Sequence, residues 1–259
     1  MMRQMSYALY PSLKQRTVVI TGGGSGIGAE MVGAFARQHA RVHFIDVSQD
    51  EALQVQEALA AEGLHTSFHR CDLRDVDAIA AVFASITDAW GPISVLINNA
   101  GNDDRHQVDA VTPAYWENCL AVNLRHQFFC AQLAATGMRA VGRGVILNMG
   151  SASWHVAVPS LSVYMTAKAG IEGLTRGLAR DLGRDGIRVN CIVPGAVRTP
   201  RQTRRWQTPE SEARLLESQC LPARIEPQDV ASMALFLASD DAARCSGREY
   251  FVDAGYFGL

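Results

Sequence analysis

The sequence of 259 residues predicts an α/β fold, a doubly wound parallel sheet of about seven strands with helices on both faces. Short apolar runs alternate with segments of helical period from one end of the chain to the other. A glycine-rich turn joins the first predicted strand to the first predicted helix. Hydrophobic residues make up 48% of the chain and charged residues 19%, which is enough apolar material for one sizeable core. We therefore expect residues 1–259 to form a single domain.

Most of the predicted strands are mainly apolar, as expected of strands that are covered by helices on both sides. They span residues 17–21, 42–46, 67–71, 94–98, 145–149, 188–193 and 249–252. The predicted helices span residues 26–38, 50–62, 76–90, 115–140, 163–183 and 227–238. Because right-handed crossovers keep such strands parallel, their carboxyl ends meet at one edge of the sheet, where ligands bind in open α/β folds.

Two long segments, residues 102–113 and 198–221, fit neither a strand nor a helix. Irregular segments of this length in a compact domain are often binding loops or lids. We expect substrate contacts in both segments, and we interpret the region around 198–221 as a substrate loop.

Composition excludes several classes of partner. The formal net charge of −2 gives no surplus of Lys and Arg for binding nucleic acid. No stretch approaches the roughly 18 apolar residues that a membrane helix needs, so we expect no membrane contact and a cytoplasmic location. The six cysteines form no CxxC pair and are interpreted as reduced, and none of the seven histidines belongs to an HExxH or similar ligand pair. We therefore expect no bound metal.

The glycine-rich turn has a GxxxGxG spacing and leads straight from a strand into a helix. Glycine is needed where the backbone takes a positive φ or approaches a pyrophosphate more closely than a Cβ allows. The helix N-terminus adds free N–H groups and a partial positive charge. The turn therefore predicts a dinucleotide site made by Gly22, Ser25, Gly26, Ile27 and Gly28.

Two aspartates follow the second and third predicted strands. Asp46 lies where a carboxylate can accept hydrogen bonds from the adenosine ribose, and its charge would repel a 2′-phosphate, so NAD is predicted rather than NADP. The alternative is that Asp46 caps the next helix. Asp72, which is followed by Leu73, could bond the adenine amino group or could cap a helix.

Tyr164 and Lys168 are four positions apart in a segment of helical period, so both side chains lie on one face of a helix. A tyrosine with a pKa near 10 supplies little phenolate at neutral pH, but a nearby lysine ammonium favours the anion. The pair therefore predicts a general base. Ser151 comes thirteen residues before Tyr164, at the carboxyl end of the fifth predicted strand and so at the edge where ligands bind.

These motifs, in this order, resemble the short-chain dehydrogenase/reductase family. The resemblance is carried by residues 21–28 and 98–101, Asn123, Ser151, residues 164–168, and Pro194 with Gly195. It spans nearly the whole chain and implies a Rossmann-like fold, a homotetramer, and oxidation of a hydroxyl group with NAD.

The resemblance also implies roles for individual residues. Tyr164 would be the acid/base, and Lys168 would lower its pKa and hold the nicotinamide ribose. Ser151 would bond the reacting oxygen, and Asn123 would anchor a water in the proton relay. Further residues would line the adenosine and nicotinamide paths: Asn99, Ala100, Gly101, Pro194, Gly195, Val197 and Thr199. From the residues alone, Asn123 could be a locally bonded helix residue and Ser151 a helix cap.

Residues 102–106, Trp154 with His155, and Arg201 with Gln202 are polar and contain one large aromatic side chain. Many hydrogen-bonding groups beside one stacking face suit a sugar. The predicted substrate residues are Asn102, Ser151, Ser153, Trp154, His155, Tyr164, Arg201 and Gln202. The same segments resemble the aldose 1-dehydrogenase branch of the family, which implies oxidation of the C1 hydroxyl of an aldose such as D-xylose to the lactone.

Two alternatives stay open at this point. Arg201, Arg204 and Arg205 lie in the variable loop, and arginine forks suit a carboxylate, so a sugar acid such as a 2-keto-3-deoxy acid is the second candidate substrate. A solvated surface would explain the same arginines. The third candidate is a non-catalytic NAD-binding regulatory protein on this fold, although such a protein has no need of a phenolate base.

Overall fold

The centre of the molecule is one parallel sheet, seen in a computed structural model that describes residues 7–206 and 208–256. The strands are β1 (Thr17–Thr21), β2 (Arg41–Asp46), β3 (Thr66–Arg70), β4 (Val95–Asn98), β5 (Gly144–Met149), β6 (Ile187–Pro194) and β7 (Glu249–Val252). They lie side by side in the order β3-β2-β1-β4-β5-β6-β7, and every neighbouring pair is parallel.

Helices connect the strands and cover both faces of the sheet. They are α1 (Gly26–Arg37), α2 (Gln49–Ala61), α3 (Val76–Trp90), α4 (Pro113–Leu120), α5 (His126–Val141), α6 (Ser162–Leu182), α7 (Pro200–Trp206), α8 (Pro209–Glu217) and α9 (Pro227–Ala238). Helix α1 packs against α9 on one face, and α3 packs against α5 on the other. This arrangement confirms the predicted fold class. Within the described ranges, no helix combines the length and apolar character needed to cross a membrane.

Strand β1 shows how the sequence builds two cores. Val18 and Ile20 point to the layer of α1 and α9, whereas Val19 points to the layer of α3 and α5. All five residues of β1 are buried, so the strand carries no polar alternation. Full burial of an aliphatic side chain of this size contributes about 1.5–3 kcal/mol, so the strand is held firmly from both sides. A firm sheet gives the loops at its carboxyl edge fixed starting points.

The strand order reverses between β1 and β4. The chain leaves β1 for β2 on one side, and β4 pairs with β1 on the other side. The connections on the two sides run in opposite directions, which opens a crevice at the carboxyl ends of these two strands. The glycine-rich turn after β1 and the Asn99 segment after β4 both lie at this crevice.

The prediction of one uninterrupted helix over residues 115–140 was wrong. Ala121–Arg125 forms a π-helical turn between α4 and α5. Such a turn holds an extra residue and is frequent at functional sites. It has the same composition as an ordinary helix, so the hydrophobic period does not reveal it. Asn123 lies in this turn and is buried, with only 1% of its surface exposed.

The structure also differs from the irregular loop predicted over residues 198–221, because this segment contains α7 and α8. Each helix begins at a proline, whose fixed φ suits the first helical position. Thr208 and Ser211 form a capping box at the start of α8. The helices have only 7 and 9 residues and carry mostly polar side chains, so they show no apolar period. Residues 102–113 stay mostly irregular apart from a 3-10 turn at Val108–Ala110.

Candidate active site

A cleft of about 1690 Å³ runs along the carboxyl ends of the strands. This volume exceeds the roughly 300–1,000 Å³ of a site for one drug-sized ligand and suits a dinucleotide together with a small substrate. The predicted cofactor residues outside the Tyr164–Lys168 pair all line it: Gly22, Ser25, Gly26, Ile27, Gly28, Asp46, Asp72, Leu73, Asn99, Ala100, Gly101, Pro194, Gly195, Val197 and Thr199. The cleft therefore collects residues from five separate loops.

The glycine-rich turn leaves no room for side chains at several of its positions, including Gly22 and Gly28. Gly22 has a φ of +67°, and a Cβ there would lie 2.8 Å from the Ala100 Cα. A Cβ on Gly28 would lie 1.9 Å from the Gly22 carbonyl oxygen. The bare backbone of this turn, with the first turn of α1 behind it, forms a cradle that fits a pyrophosphate.

Replacing Gly28 by alanine is expected to damage both stability and dinucleotide binding. The new Cβ overlaps the Gly22 carbonyl, so the turn must open, and overpacking of this kind costs about 1–3 kcal/mol. Thermal unfolding and calorimetric titration with NAD measure the two effects. The matched control is Gly33→Ala on the same helix, where the added Cβ meets mainly the flexible end of Arg37. Wild-type melting and wild-type affinity in Gly28→Ala would contradict this account of the turn.

Asp46 joins the glycine-rich turn to the end of β2. Its Oδ2 accepts the Gly24 N–H at 2.8 Å, and its Oδ1 accepts the Ser48 N–H at 3.0 Å. Ser48, not Asp46, is the N-cap residue of α2. Asp46 is therefore not the helix cap itself. Its carboxylate bonds the N–H of the cap residue, Ser48, and also faces the cleft.

Asp72 faces the cleft and is bound by its neighbour Arg74. The Arg74 guanidinium lies 2.6 Å from Asp72 Oδ2, and the Arg74 N–H donates to Oδ1 at 2.9 Å. The hydrogen bonds from the Arg74 side chain are the main reason that the pKa of Asp72 lies below its ordinary value. Asp75, rather than Asp72, caps α3 by accepting the Ala78 N–H. The alternative that Asp72 is a helix cap is therefore wrong.

Thr21 was not predicted as a site residue, yet it ties β1 to the segment after β4. Its fully buried hydroxyl accepts the N–H groups of Asn99 at 3.0 Å and Ala100 at 3.1 Å. The Asn99 Nδ2 group in turn donates hydrogen bonds to the carbonyls of Thr21 and Gly22, each at 3.0 Å. The signal in the sequence was a hydroxyl at the end of an otherwise apolar buried strand, which needs a hydrogen-bond partner.

Tyr164 and Lys168 project from α6, one turn apart as predicted. The Lys168 Nζ lies 5.5 Å from the centre of the Tyr164 ring. It donates to the Met149 carbonyl at 2.8 Å, so the end of β5 holds the ammonium in place. Ser151 follows β5, and its hydroxyl forms hydrogen bonds with Ser153 at 2.9 Å and with Tyr164. Three of the four predicted catalytic side chains, Ser151, Tyr164 and Lys168, therefore meet in the cleft.

Burial disfavours charge on both members of the pair. It raises the pKa of Tyr164 above its ordinary value of 10.0, and the negative charge of Asp103 acts in the same direction. The hydrogen bond from Ser151 opposes this shift. Burial also lowers the pKa of Lys168 from 10.5 to about 8. Tyr164 is thus a weak source of phenolate until further positive charge arrives beside it.

Asn123 lies behind the cleft and fixes the chain that follows β4. Its Oδ1 accepts the Asn102 N–H at 2.7 Å, and its Nδ2 donates to the Asn102 carbonyl at 3.1 Å and the Cys119 carbonyl at 3.0 Å. The π-helical turn allows this orientation, because the extra residue aims the amide toward the neighbouring loop.

A polar clasp joins residues 102–104 to α7 across the mouth of the cleft. The Arg201 guanidinium bonds Asn102 and lies 2.8 Å from Asp104 Oδ1 and 3.3 Å from Asp103 Oδ1. Gln202 donates to Asp103 Oδ2 at 2.6 Å, and Arg205 lies 2.7 Å from Asp104 Oδ1. Three residues predicted to contact substrate therefore lie at the cleft: Asn102, Arg201 and Gln202. Each of them uses some of its hydrogen-bonding groups within the clasp.

The structure does not place Trp154 and His155 in the cleft, contrary to their prediction as substrate residues. The indole Nε1 of Trp154 donates to Glu172 Oε1 at 3.0 Å, and His155 Nε2 lies 2.8 Å from the same oxygen. The buried carboxylate of Glu172 requires such partners, and its bonds hold both rings outside the cleft. Sequence reasoning missed Glu172, which stands one turn after Lys168 on α6. Ser153 remains at the cleft.

Comparisons with known proteins identify the family. A family model described as enoyl-(acyl carrier protein) reductase matches residues 22–257. Over 252 residues the chain is 54% identical to a D-xylose 1-dehydrogenase of Caulobacter vibrioides, which covers 97% of this chain and 100% of that protein. A solved short-chain type dehydrogenase/reductase from Mycobacterium ulcerans superposes with a TM-score of 0.90 at 26% identity, covering 95% of this chain and 90% of that one. The chain belongs to the short-chain dehydrogenase/reductase family.

A second relative within the short-chain dehydrogenase/reductase family is a protein of Rhizobium meliloti named as a probable galactose dehydrogenase. It is 45% identical over 249 residues and covers 96% of this chain and 97% of that protein. As a member of the family, the protein is an oxidoreductase acting on alcohol groups with a nicotinamide cofactor. The glycine cradle and the cleft-facing ribose and nicotinamide segments fit that cofactor. Among the described residues, no group of three His, Cys, Asp or Glu could hold a metal ion.

Proposed function

We propose that this protein is an NAD-dependent aldose 1-dehydrogenase that oxidises the C1 hydroxyl of an aldose such as D-xylose to the lactone. The observation that carries the proposal is the 54% identity to a D-xylose 1-dehydrogenase over the full length of that protein. The polar cleft with Ser151, Tyr164 and Lys168 supplies groups that suit this reaction.

The residues of the chain would act on the proton of the sugar hydroxyl. Bound NAD supplies the hydride acceptor and a positive charge beside the tyrosine. Ser151 would donate a hydrogen bond to the C1 oxygen and hold it against Tyr164, whose phenolate oxygen takes the proton. Protonated Lys168 would favour that phenolate, because its ammonium is fixed near the ring by the Met149 carbonyl. Asn123 would fix the position of the loop after β4 relative to Tyr164 and Lys168, because it accepts the Asn102 N–H.

The preference for NAD rests on Asp46. Its carboxylate lies at the cleft beside the glycine-rich turn, where the adenosine ribose of a dinucleotide belongs. A 2′-phosphate there would meet a like charge, and residues 22–28 contain no Arg or Lys to offset it. A ribose with free hydroxyls would instead donate to the carboxylate.

Replacing Asp46 by asparagine is expected to shift cofactor preference toward NADP. The amide keeps the shape and an acceptor for the Gly24 N–H, but it removes the charge that repels a phosphate. The ratio of kcat/KM for NAD to that for NADP should fall by about tenfold or more, since like-charge contacts cost several kcal/mol. Steady-state kinetics with both cofactors measures the ratio, and Asp77→Asn on the exposed start of α3 is the control. An unchanged ratio would count against this role of Asp46.

The contacts of two of the three candidate arginines weigh against a sugar acid as substrate. Arg201 and Arg205, which were candidates to bind a substrate carboxylate, form ion pairs with Asp103 and Asp104. A guanidinium already paired with carboxylates offers little net positive charge to another anion. A regulatory protein without activity is also disfavoured, because Ser151 and Tyr164, which cofactor binding alone does not require, lie together with Lys168 in the cleft.

Kinetics with purified protein tests the proposed function. NADH formation is followed with NAD or NADP, a panel of neutral aldoses and a panel of sugar acids, and the product is identified as a lactone by NMR. We expect activity on one or more aldoses with NAD and much less on the acids. Activity confined to sugar acids, or none on either panel, would reject the proposal.

We propose a homotetramer as the assembly, on the basis of the family. Helix α6 supports this, since a Cβ added at Gly173 or Gly177 would meet nothing within 4 Å in the described chain. These positions therefore leave room for a helix of a second copy to approach closely. Light scattering of the purified protein gives the mass that decides between a tetramer and a smaller assembly.

A further inference from the structure

We propose that Asp103 determines substrate specificity, with its carboxylate accepting hydrogen bonds from hydroxyl groups of a neutral sugar and repelling anionic substrates. This inference rests on the proposed function as an aldose dehydrogenase. It assigns the choice between neutral and acidic sugars to one residue of the loop that follows β4.

The position of Asp103 is the first observation. It lies two residues after Gly101 and lines the cleft that also contains Ser151 and Tyr164. Its charge acts on both Tyr164 and Lys168, raising the pKa of each. Because Asp103 lines the same cleft as Ser151 and Tyr164, its carboxylate is placed to meet a sugar bound beside them.

The hydrogen bonding of Asp103 is the second observation. Gln202 Nε2 donates to Oδ2 at 2.6 Å, and Arg201 Nη2 lies 3.3 Å from Oδ1. A carboxylate has about four lone-pair sites, so each oxygen can accept one more hydrogen bond. The two protein partners also fix the orientation of the carboxylate before a substrate arrives, which reduces the entropy lost on binding. Adjacent sugar hydroxyls are donors of the right kind for the remaining sites.

The neighbouring Asp104 serves the clasp instead. It accepts from Asn102 at 2.8 Å, from Arg201 at 2.8 Å and from Arg205 at 2.7 Å, and it does not line the cleft. Although burial opposes the shift, the hydrogen bond from Asn102 and the charge of Arg201 hold the pKa of Asp104 below its ordinary value. Two adjacent aspartates therefore have separate tasks, and Asp104 is a matched control for Asp103.

The charge of Asp103 would also discriminate between substrates. Arg201 is shared between both aspartates and lies closer to Asp104 than to Asp103, so it offsets the charge of Asp103 only in part. A sugar acid entering beside Tyr164 would place a second carboxylate near the first, and such like-charge contacts are strongly disfavoured. A neutral aldose meets no such barrier and provides the donors that the carboxylate can use.

The test compares Asp103→Asn with wild type on an oxidised aldose and on deoxy analogues that each lack one hydroxyl. In wild type, the analogue lacking the hydroxyl bound by Asp103 should lose about tenfold to a hundredfold in kcat/KM, as expected for a charged hydrogen bond. In Asp103→Asn that penalty should shrink to about threefold or less, since an amide is a weaker acceptor. Asp104→Asn should lower kcat/KM for all the sugars by a similar factor. The deoxy analogue should therefore still lose as much kcat/KM relative to the full sugar as it does in wild type.

The pH profile provides a readout that a purely structural role would not change. The charged or titratable groups that act on Tyr164 are Asp103, Cys119, Arg201 and the nearby Lys168. Because the charge of Asp103 raises the pKa of Tyr164, removing it should move the rise of kcat/KM with pH to lower pH. Asp104→Asn should leave the profile near its wild-type position. The inference would be overturned if each deoxy analogue lost the same factor in kcat/KM in Asp103→Asn as in wild type and the pH profile of kcat/KM did not move.

Competitive inhibition of wild type with saturating NAD keeps the inference testable even when a variant fails to fold. A neutral alditol should bind at least about tenfold more tightly than the aldonate of the same carbon number, because only the aldonate faces charge repulsion. Tighter binding of the aldonate would overturn the inference. Failure of wild type to oxidise any aldose would instead reject the proposed function, and the inference with it, so the two failures are distinguishable.

Discussion

Replacing Tyr164 by phenylalanine should lower kcat/KM for the oxidised sugar by about a thousandfold or more, since general base catalysis contributes about 10² to 10⁴. The substitution removes one oxygen atom, and the ring keeps its place on α6 beside Lys168. Calorimetric affinity for NAD and the melting temperature should therefore stay close to wild type. Initial rates of NADH formation measure the loss.

The control for this variant is Tyr115→Phe. The Tyr115 hydroxyl lies 2.9 Å from His106 Nδ1 and serves the loop rather than the reacting atoms. We expect it to change kcat/KM by less than about tenfold, because the hydroxyl bonds only the loop groups His106 and the Asp104 carbonyl. Equal losses in the two variants, or residual activity in Tyr164→Phe near the wild-type level, would show that Tyr164 is not the base.

Replacing Lys168 by methionine should abolish activity while leaving the fold as stable as wild type or more so. The chain has only two lysines, Lys14 and Lys168, among 24 basic residues. Burial lowers the pKa of Lys168 from 10.5 to about 8, so its ammonium is destabilised on folding. At pH 7, below both values, the cost is fully present and on the order of 3 kcal/mol. Methionine removes this cost but leaves the Met149 carbonyl without its donor, a loss of about 1–3 kcal/mol.

The pH dependence of this effect has a definite sign. Between pH 8 and 10.5 the unfolded chain holds a proton on Lys168 that the folded chain has released, so this residue makes stability rise with pH. The stability gained by Lys168→Met should therefore be largest near neutral pH and disappear as pH approaches 10.5. Urea unfolding at several pH values measures it. Lys14→Met, at an exposed site, is the control and should show no such trend. A gap between Lys168→Met and wild type that is independent of pH would contradict the account.

The features that the sequence predicts correctly are those that depend on neighbours close in the chain. The continuous apolar run of β1 follows from burial on both faces, and the GxxxGxG turn follows from the backbone space that Gly22 and Gly28 require. The four-residue spacing of Tyr164 and Lys168 places both on one face of α6, because the helical period is local.

The features that sequence reasoning missed depend on contacts between distant residues. Trp154 and His155 turn away from the cleft because of Glu172, on another element. The clasp joins residues about a hundred positions apart, such as Asp104 and Arg201, and no local pattern indicates which aspartate pairs with which arginine. The π-helical turn at Asn123 has the composition of an ordinary helix. Such contacts decide where substrate residues point, so the sequence predicted the placement of Tyr164 and Lys168 better than that of Trp154 and His155.

Transfer of deuterium from C1 of the sugar to the cofactor shows directly whether the protein oxidises the sugar at C1. Wild-type protein is given NAD and an aldose deuterated at C1, and the reduced nicotinamide is analysed by mass spectrometry. We expect the label to appear in the reduced cofactor and oxidation to be slower than with unlabelled sugar. A sugar deuterated at C2 should deliver no label. Label arriving from C2 or another carbon, with none from C1, would contradict the assignment of this protein as an aldose 1-dehydrogenase.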